Sequence, residues 1–176
     1  VHNFTGFHGY WPVDPLAIET RSGDAGGSGE DRLRELIDKA HERGIRVMFD
    51  LVLNHVHQDH VWTQQHPEWF TGGCVCGTDG CGWDERTLDC WFTDYLPDLN
   101  YRNRWIVEEQ LEATLRLVET YDADAVRVDA AKHMDHVIMR GLRKALRSEF
   151  ERNGGAEFYA VGETFTGGDG HGEIMN

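Results

Sequence analysis

Three apolar, β-rich runs of this chain end in groups that their bodies do not foretell. Asp50 and then Asn54-His55 close the first, Arg127 and Asp129 the second, and Glu163 the third. Arg127 and Asp129 are two apart on a strand, so they share a face, and the guanidinium can bond the carboxylate and hold its pKa down. Asp129 is therefore expected to be ionised. Glu163 follows the apolar run 158–162, whose dry surroundings are expected to push its carboxyl pKa up and keep it protonated near neutrality. A charged and an uncharged carboxyl group on neighbouring strands can act as nucleophile and general acid on an acetal. The duller reading is a set of structural salt bridges at strand ends. Three such endings together favour chemistry, because perturbed groups gather at active sites.

A second chemistry overlaps the first. From His55 onward the chain spells H-x-H-x-D-H, which would make His55, His57, Asp59 and His60 zinc ligands of a metallo-hydrolase, in a spacing that resembles the metallo-β-lactamase fold. That site needs a further histidine in a Gly-rich turn downstream. Neither His66, His133, His136 nor His171 sits in one, and the reading leaves the other strand endings unexplained. His57, Asp59 and His60 then belong to a solvated loop, and Asp135, His136 and His171 to the surface.

Composition narrows the partners. A formal net charge of −14 disfavours nucleic acid or an anionic membrane, and no apolar run is long enough to span a bilayer. A neutral or cationic ligand suits the chain better. Cys74, Cys76, Cys81 and Cys90 fall in one short window as C-x-C-x4-C-x8-C. Two disulfides, with three possible connectivities, are favoured over zinc because C-x-C is tighter than the usual knuckle. They would point to an oxidising compartment, extracellular or periplasmic.

The elements that must position these groups alternate. Ser28 can cap a helix over about 29–43 with Leu33, Leu36, Ile37 and Ala40 on one face, and Gly44 stops it. Residues 45–53 then read as a strand buried on both faces. Asn103 caps a second helix that leads into the strand 125–129. Asp135 opens a third, and the turn at 153–155 leads into the strand 157–162. Helix and buried strand repeating in this way imply α/β with a parallel sheet, whose ligands lie at the carboxyl ends of the strands. The last two strands start about 30 residues apart, one βαβ repeat. Between the first two lies extra chain, residues 55–101, rich in Gly, Trp, His and Asp, expected to form an irregular inserted subdomain at those carboxyl ends. The organisation expected is thus 1–54, 55–101 and 102–176.

DLVLNH (50–55), LPDLN (96–100), AVRVDAAKH (125–133) and VGETF (161–165), in that order, resemble the motifs of the α-amylase family, glycoside hydrolase family 13. HGYWPVD (8–14) resembles the loop after that family's second barrel strand. The resemblance implies part of a (β/α)8 TIM barrel, about the third to fifth strands with their helices. It also implies a retaining enzyme that cleaves α-1,4-glucosidic bonds of starch or maltooligosaccharides through a covalent glycosyl-Asp intermediate. Asp129 would be the nucleophile, Glu163 the acid/base, and Arg127 would orient Asp129. His55 would contact the sugar at the cleaved bond, Tyr10 would stack on it with Trp11 beside it, and His8 would lie near. Lys132 and His133 would face the leaving group, and Asp50 would support the site wall. Calcium would be held by Asn54, Asp98 and the His133 carbonyl, all hard oxygen ligands. A transglycosylase of the same family or a non-catalytic glucan-binding barrel are the alternatives. The family's third catalytic acid, in an H-D pair after the seventh strand, is absent from this chain. The chain would then need the remainder of its catalytic domain, and alone would be inactive and poorly stable, with open strand edges.

Overall fold

A computed structural model describes residues 2–19, 28–151 and 156–165; the turn at 153–155 and His171 lie outside them. The elements follow in chain order: β1 His2–Phe4, β2 Pro12–Ile18, α1 Gly29–His41, β3 Met48–Val52, α2 Val61–Gln65, β4 Cys74–Val75, β5 Cys90–Trp91, α3 Arg104–Tyr121, β6 Ala125–Asp129, α4 His136–Phe150 and β7 Tyr159–Gly162. β3, β6 and β7 form a parallel sheet in that order, with Asp50 opposite Arg127, Val52 opposite Asp129, and Arg127 opposite Val161.

Local chemistry starts each long helix. The Ser28 side chain accepts from the Asp31 N–H, Asn103 from Trp105, and Asp135 from Val137, each satisfying a donor that the first turn leaves unpaired. α1 ends two residues earlier than expected, and Gly44 turns the chain in the left-handed region with φ +69°. The strand after it is shorter than its apolar run: Ile45 and Met48 are exposed. At its start Asp124 takes over the ladder. Its Oδ2 accepts from the Val47 N–H at 2.7 Å while its own N–H donates to the Val47 carbonyl.

The sheet has one dry face. Phe49, Leu51, Val126 and Val128 are each 0–1% exposed and pack beneath Ile106 and Val118 of α3 and Ile138, Leu142 and Leu146 of α4. Each such side chain contributes about 1.5 to 3 kcal/mol by burial. The alternation of a strand then sends Asp50, Arg127 and Asp129 to the opposite face. β7 differs from its expectation: Tyr159 and Val161 are exposed, so it is not a strand buried on both sides. Leu36, counted among the apolar face of α1, is exposed as well, whereas Ile37 beside it is buried.

β1 and β2 form an antiparallel hairpin with residues 5–11 as its loop. Part of the segment expected as a loop, from Pro12 on, is thus strand, and Pro suits its first residue. Gly6 is required there. Its φ is +78°, and a Cβ would stand 2.6 Å from Cε3 of Trp11.

Residues 55–101 leave and rejoin the sheet side by side. His55 bridges to Asp98, the Val56 and Gln58 N–H groups donate to Pro97 and Tyr95, and Leu99 N–H donates back to Asn54. Trp62 and Trp69 tie this excursion into the main core, while two disulfides, Cys74–Cys81 and Cys76–Cys90, make a second small one with Phe92 against it. No helix of the described residues is long and apolar enough to cross a membrane.

Candidate active site

Arg127 organises the carboxyl ends of the strands. Its Nη1 lies 2.7 and 2.8 Å from the two oxygens of Asp50 and 2.8 Å from Asp129 Oδ1, and its Nη2 lies 3.1 Å from Glu163 Oε2. One guanidinium therefore gathers a carboxylate from each of the three parallel strands, Asp50 from the middle of β3, Asp129 from the end of β6 and Glu163 from just past β7. Such a fork fits because its donors are planar and permanently charged. Burial opposes the Arg127 charge, but Asp50, Asp129 and Glu163 together raise its pKa above the ordinary arginine value. Asp50 is the partner with the most bonds, a role that its isolated position in the sequence does not signal.

Asp129 is not held down as expected. Burial of its carboxyl group, reinforced by the charges of Glu163 and Asp50, outweighs Arg127 and pushes its pKa up to about 6. It remains mainly ionised at neutral pH, by a smaller margin than a strand-pair argument implies. The dry setting expected for Glu163 is likewise missing, since its side chain is 42% exposed and rests against Arg127. The physical reason for both differences is that α/β packing buries the centre of the sheet, β6, more deeply than β7.

The turn after Asp129 is strained. Ala130 has φ +51°, a left-handed conformation that costs a residue with a Cβ about 1 to 2 kcal/mol. In return its N–H points at Glu163 and donates to Oε2 at 3.2 Å, and the Glu163 N–H donates to the Val128 carbonyl. β6 and the start of the β7 loop are thereby locked with Asp129 and Glu163 on one rim. Sequence reading missed Ala130, because nothing in D-A-A announces a positive φ.

The hairpin supplies the aromatic wall. Tyr10, at the edge of exposure, donates its hydroxyl to Asp50 Oδ2 at 3.0 Å, and its ring stands 5.9 Å from the Arg127 guanidinium carbon. His8 stacks on Tyr10 and accepts from its N–H at 3.0 Å. Trp11 sits differently: its ring packs edge-on against Tyr95 and stacks with His57, so Tyr10 is the ring presented at the carboxylates. His55 is buried, and burial pushes its pKa down to about 4, so it is neutral. Its Nε2 lies 2.9 Å from the Tyr10 carbonyl, which makes that nitrogen the protonated one and joins β3 to the hairpin.

Lys132 and His133 follow Asp129 on a short 3-10 turn and face the inserted segment. Lys132 Nζ lies 3.7 Å from Asp84, and His133 Nδ1 lies 3.1 Å from the Thr87 carbonyl. Trp83 and Phe92 close on His133 with ring centroids 5.8 and 4.8 Å away. Neither Trp83 nor Phe92 was singled out from the sequence.

The structure does not assemble the ligands of the zinc reading. His57 Nδ1 accepts from the Asp59 N–H, His60 Nδ1 from the Trp62 N–H as the cap of α2, and His55 Nε2 is bonded to Tyr10; His57 and His60 are buried rather than in a solvated loop, because their rings pack on Trp11 and Trp62. Among the described residues no three His, Cys, Asp or Glu side chains are grouped to hold a metal. The cysteines are consumed in disulfides. The oxygen set at Asn54 and Asp98 is of another kind. Asn54 Oδ1 is buried with no donor, and Asp98 is 2% exposed with no basic side chain paired to it among the described residues. Burial, with Asp89 nearby, pushes the Asp98 pKa up to about 9. An unpartnered amide oxygen beside a buried carboxylate fits a hard cation better than it fits a protein interior.

The model of the family described as alpha amylase, catalytic domain, matches residues 2–71. Alpha-amylase 2 of Schwanniomyces occidentalis is 28% identical over 183 residues, covering 92% of this chain and 31% of that protein. A 4-alpha-glucanotransferase of Thermotoga neapolitana is 30% identical over 191 residues, covering 96% of this chain and 41% of that protein. The crystal structure of alpha-amylase from Geobacillus thermoleovorans, complexed with acarbose, aligns with a TM-score of 0.78 at 23% identity, over 94% of this chain and 35% of that one. The chain thus spans less than half the length of these relatives, and its fold is that of part of an α-amylase barrel. On these motifs, this fold and these relatives, the chain belongs to the α-amylase family, glycoside hydrolase family 13, and carries part of its catalytic domain.

Proposed function

We propose that this chain carries the nucleophile and the acid/base of a retaining α-glucan-active glycosidase that cleaves α-1,4 bonds of starch and maltooligosaccharides. The observation that carries this reading is the pair Asp129 and Glu163 on one guanidinium, at the ends of adjacent parallel strands. Two carboxyl groups on one rim suit double displacement, which works at a separation of about 5 to 5.5 Å. Asp129 attacks the anomeric carbon while Glu163 gives its proton to the departing oxygen; Glu163 then takes a proton from water as water displaces Asp129. Arg127 keeps the nucleophile aimed, Tyr10 offers its ring to the sugar at the cleaved bond, and His55 and His8 line that side. The rest of the barrel, with the family's third acid, completes the site.

The test is the anomeric form of the first product from maltooligosaccharides, followed by NMR in the intact enzyme. The α-anomer is expected, and initial β-anomer would remove the covalent step. Acid sensitivity gives a second check. Because protonated Asp129 is no nucleophile, kcat/KM should fall about tenfold per unit as pH drops below about 6. A limb near 4 would show that substrate-free Asp129 is not desolvated.

A second reading, glycosyl transfer, is favoured by the relationship to a 4-alpha-glucanotransferase. It uses the same two carboxyl groups with a sugar hydroxyl in place of water.

Calcium is the cation that the oxygen set suits, and Asn54 and Asp98 would hold it, with the His133 carbonyl as the further ligand that the family resemblance implies. When bound it supplies fixed positive charge that ties Asn54 to Asp98 of the inserted segment. Chelation is expected to lower thermal stability, by about 2.7 kcal/mol relative to calcium at a hundred times its Kd. Asp98→Asn should erase most of that difference while costing little in chelator, where the wild-type carboxyl group is buried with hydrogen bonds from Thr71 and Asn54 but no cation beside it. An unchanged calcium response in Asp98→Asn would rule the site out. The two disulfides suit an oxidising compartment, extracellular or periplasmic.

A further inference from the structure

The strain at Ala130 and the bonds of Glu163 meet at one atom. Ala130 takes φ +51°, a conformation that a residue with a Cβ keeps only where its surroundings hold it. What the turn gains is direction. The Ala130 N–H points across to the end of β7 and donates to Glu163 Oε2 at 3.2 Å, and Arg127 Nη2 reaches the same oxygen at 3.1 Å. Two donors thus converge on Oε2, one neutral and fixed in the main chain, the other charged.

Small residues bring Glu163 there. Its own N–H donates to the Val128 carbonyl at 2.8 Å, so its main chain extends the pairing of β6 with β7 by one residue. Gly162, just before it, passes close to the same turn: a Cβ there would stand 2.8 Å from the Ala131 Cβ. A larger side chain would push the end of β7 off the turn. Glycine at this crossing therefore sets the reach of the Glu163 carboxyl group to the Ala130 N–H.

An oxygen that accepts two donors has no room for a proton of its own, so the acidic proton of Glu163 belongs on Oε1. As that proton leaves, negative charge develops over both carboxyl oxygens and strengthens the bonds to Oε2. Donors already in place act at that moment without reorganisation, and a bond that is stronger in the transition state than before it raises the rate.

Resting on the function proposed above, we propose that the main-chain N–H of Ala130 is a positioning donor for the general acid. With Arg127 it holds Glu163 Oε2, leaves Oε1 to face the departing oxygen, and stabilises the carboxylate that proton transfer leaves behind. In the first half of the reaction the proton passes from Oε1 to the glycosidic oxygen. The bond from that oxygen to the anomeric carbon breaks, its electron pair going to the oxygen, and an Asp129 oxygen bonds the carbon. In the second half the oxygen of water bonds the carbon, the bond to Asp129 breaks, and the proton of water returns to Oε1. A leaving group that departs as a stable anion does not call on Glu163, and the Ala130 N–H then contributes nothing to its departure.

The experiment replaces the peptide bond between Asp129 and Ala130 by an ester in the intact enzyme, with L-lactate in place of Ala130. The N–H becomes an oxygen and the Cβ stays. Its kcat/KM is compared with those of wild type, Ala130→Gly and Gly162→Ala on two substrates: maltoheptaose, whose leaving sugar needs a proton, and a dinitrophenyl α-maltoside, whose leaving group does not. The ester enzyme is expected to lose about tenfold more on maltoheptaose than on the aryl maltoside. This is less than the roughly 100-fold of a sole oxyanion donor, because Arg127 still reaches Oε2. Gly162→Ala should show a selective loss in the same direction, and Ala130→Gly, which keeps the N–H, should keep the wild-type ratio of the two substrates. That ratio is independent of how much enzyme is folded, and Gly162→Ala decides the matter if the ester chain does not fold. Equal changes on both substrates, or an Ala130→Gly enzyme as selective as the ester, would overturn the role of the N–H. Failure of the wild-type enzyme to cleave either substrate would instead overturn the glycosidase reading on which it rests.

Discussion

Asp129→Asn in the intact enzyme is expected to lower kcat by about 10⁵-fold while the fold and the affinity for maltooligosaccharides are kept. Removing a nucleophile that acts together with its partner groups costs about 10⁴ to 10⁶ in comparable enzymes. Asn is close to Asp in size, and its amide oxygen can still accept from Arg127, so the bond at 2.8 Å is retained in kind. The substitution also removes a partly buried carboxylate whose ionisation the site resists, so stability should hold or rise slightly at neutral pH. The sign follows from the direction of the shift. A carboxyl group whose pKa rises on folding is disfavoured as an anion in the folded state, above its unfolded value and increasingly up to about pH 6. Stopped or steady-state kinetics with a binding isotherm on the same variant check the prediction. A variant within tenfold of wild type would mean that another group attacks the sugar.

Arg127→Leu should have the second largest effect, and on two observables. Loss of the guanidinium leaves Asp50, Asp129 and Glu163 facing one another without a cation. Breaking a fully buried pair costs about 3 to 5 kcal/mol. Asp50 and Glu163 are 40% and 42% exposed, and water will screen them, so about 2 to 3 kcal/mol is expected here. Activity should fall with it, and the acid limb of the pH profile should move above the position set by Asp129 in the wild type, because the one group that favours its ionised form is gone. Arg127→Lys should recover the charge but not the fork to three carboxylates. Chemical denaturation together with a pH profile tests both. Stability within 0.5 kcal/mol of wild type would show that the cluster is a surface network of the kind that contributes about nothing.

Tyr10 connects these two predictions to the hairpin. Its hydroxyl bond to Asp50 brings a loop distant in sequence onto the same cluster, and the neighbouring Asp50 carboxylate raises the Tyr10 pKa. The hydroxyl is a donor throughout the neutral range. The Asp50 carboxylate of β3 is thus shared between a fixed cation and the Tyr10 ring of the hairpin. Asp50 is more than a support of the wall: it links ring, guanidinium and nucleophile in one hydrogen-bonded series.

The sequence by itself determined the residues that could react and the elements that carry them. Asp50, Arg127, Asp129 and Glu163 were legible as strand endings because period-two alternation and apolar runs are local properties. The caps Ser28, Asn103 and Asp135 were legible for the same reason, since each acts within one helical turn. Tertiary structure alone decided which carboxyl group is dry, and it chose Asp129 over Glu163. It also decided that Arg127 would bond Asp50 most heavily, that Ala130 would take a left-handed turn, and that Trp83 and Phe92 would close on His133. Among three possible pairings of the cysteines it selected Cys74–Cys81 and Cys76–Cys90. The physical reason is common to all of these. Desolvation and charge coupling are sums over neighbours from elements far apart in the chain, and no residue's own surroundings in sequence contain them.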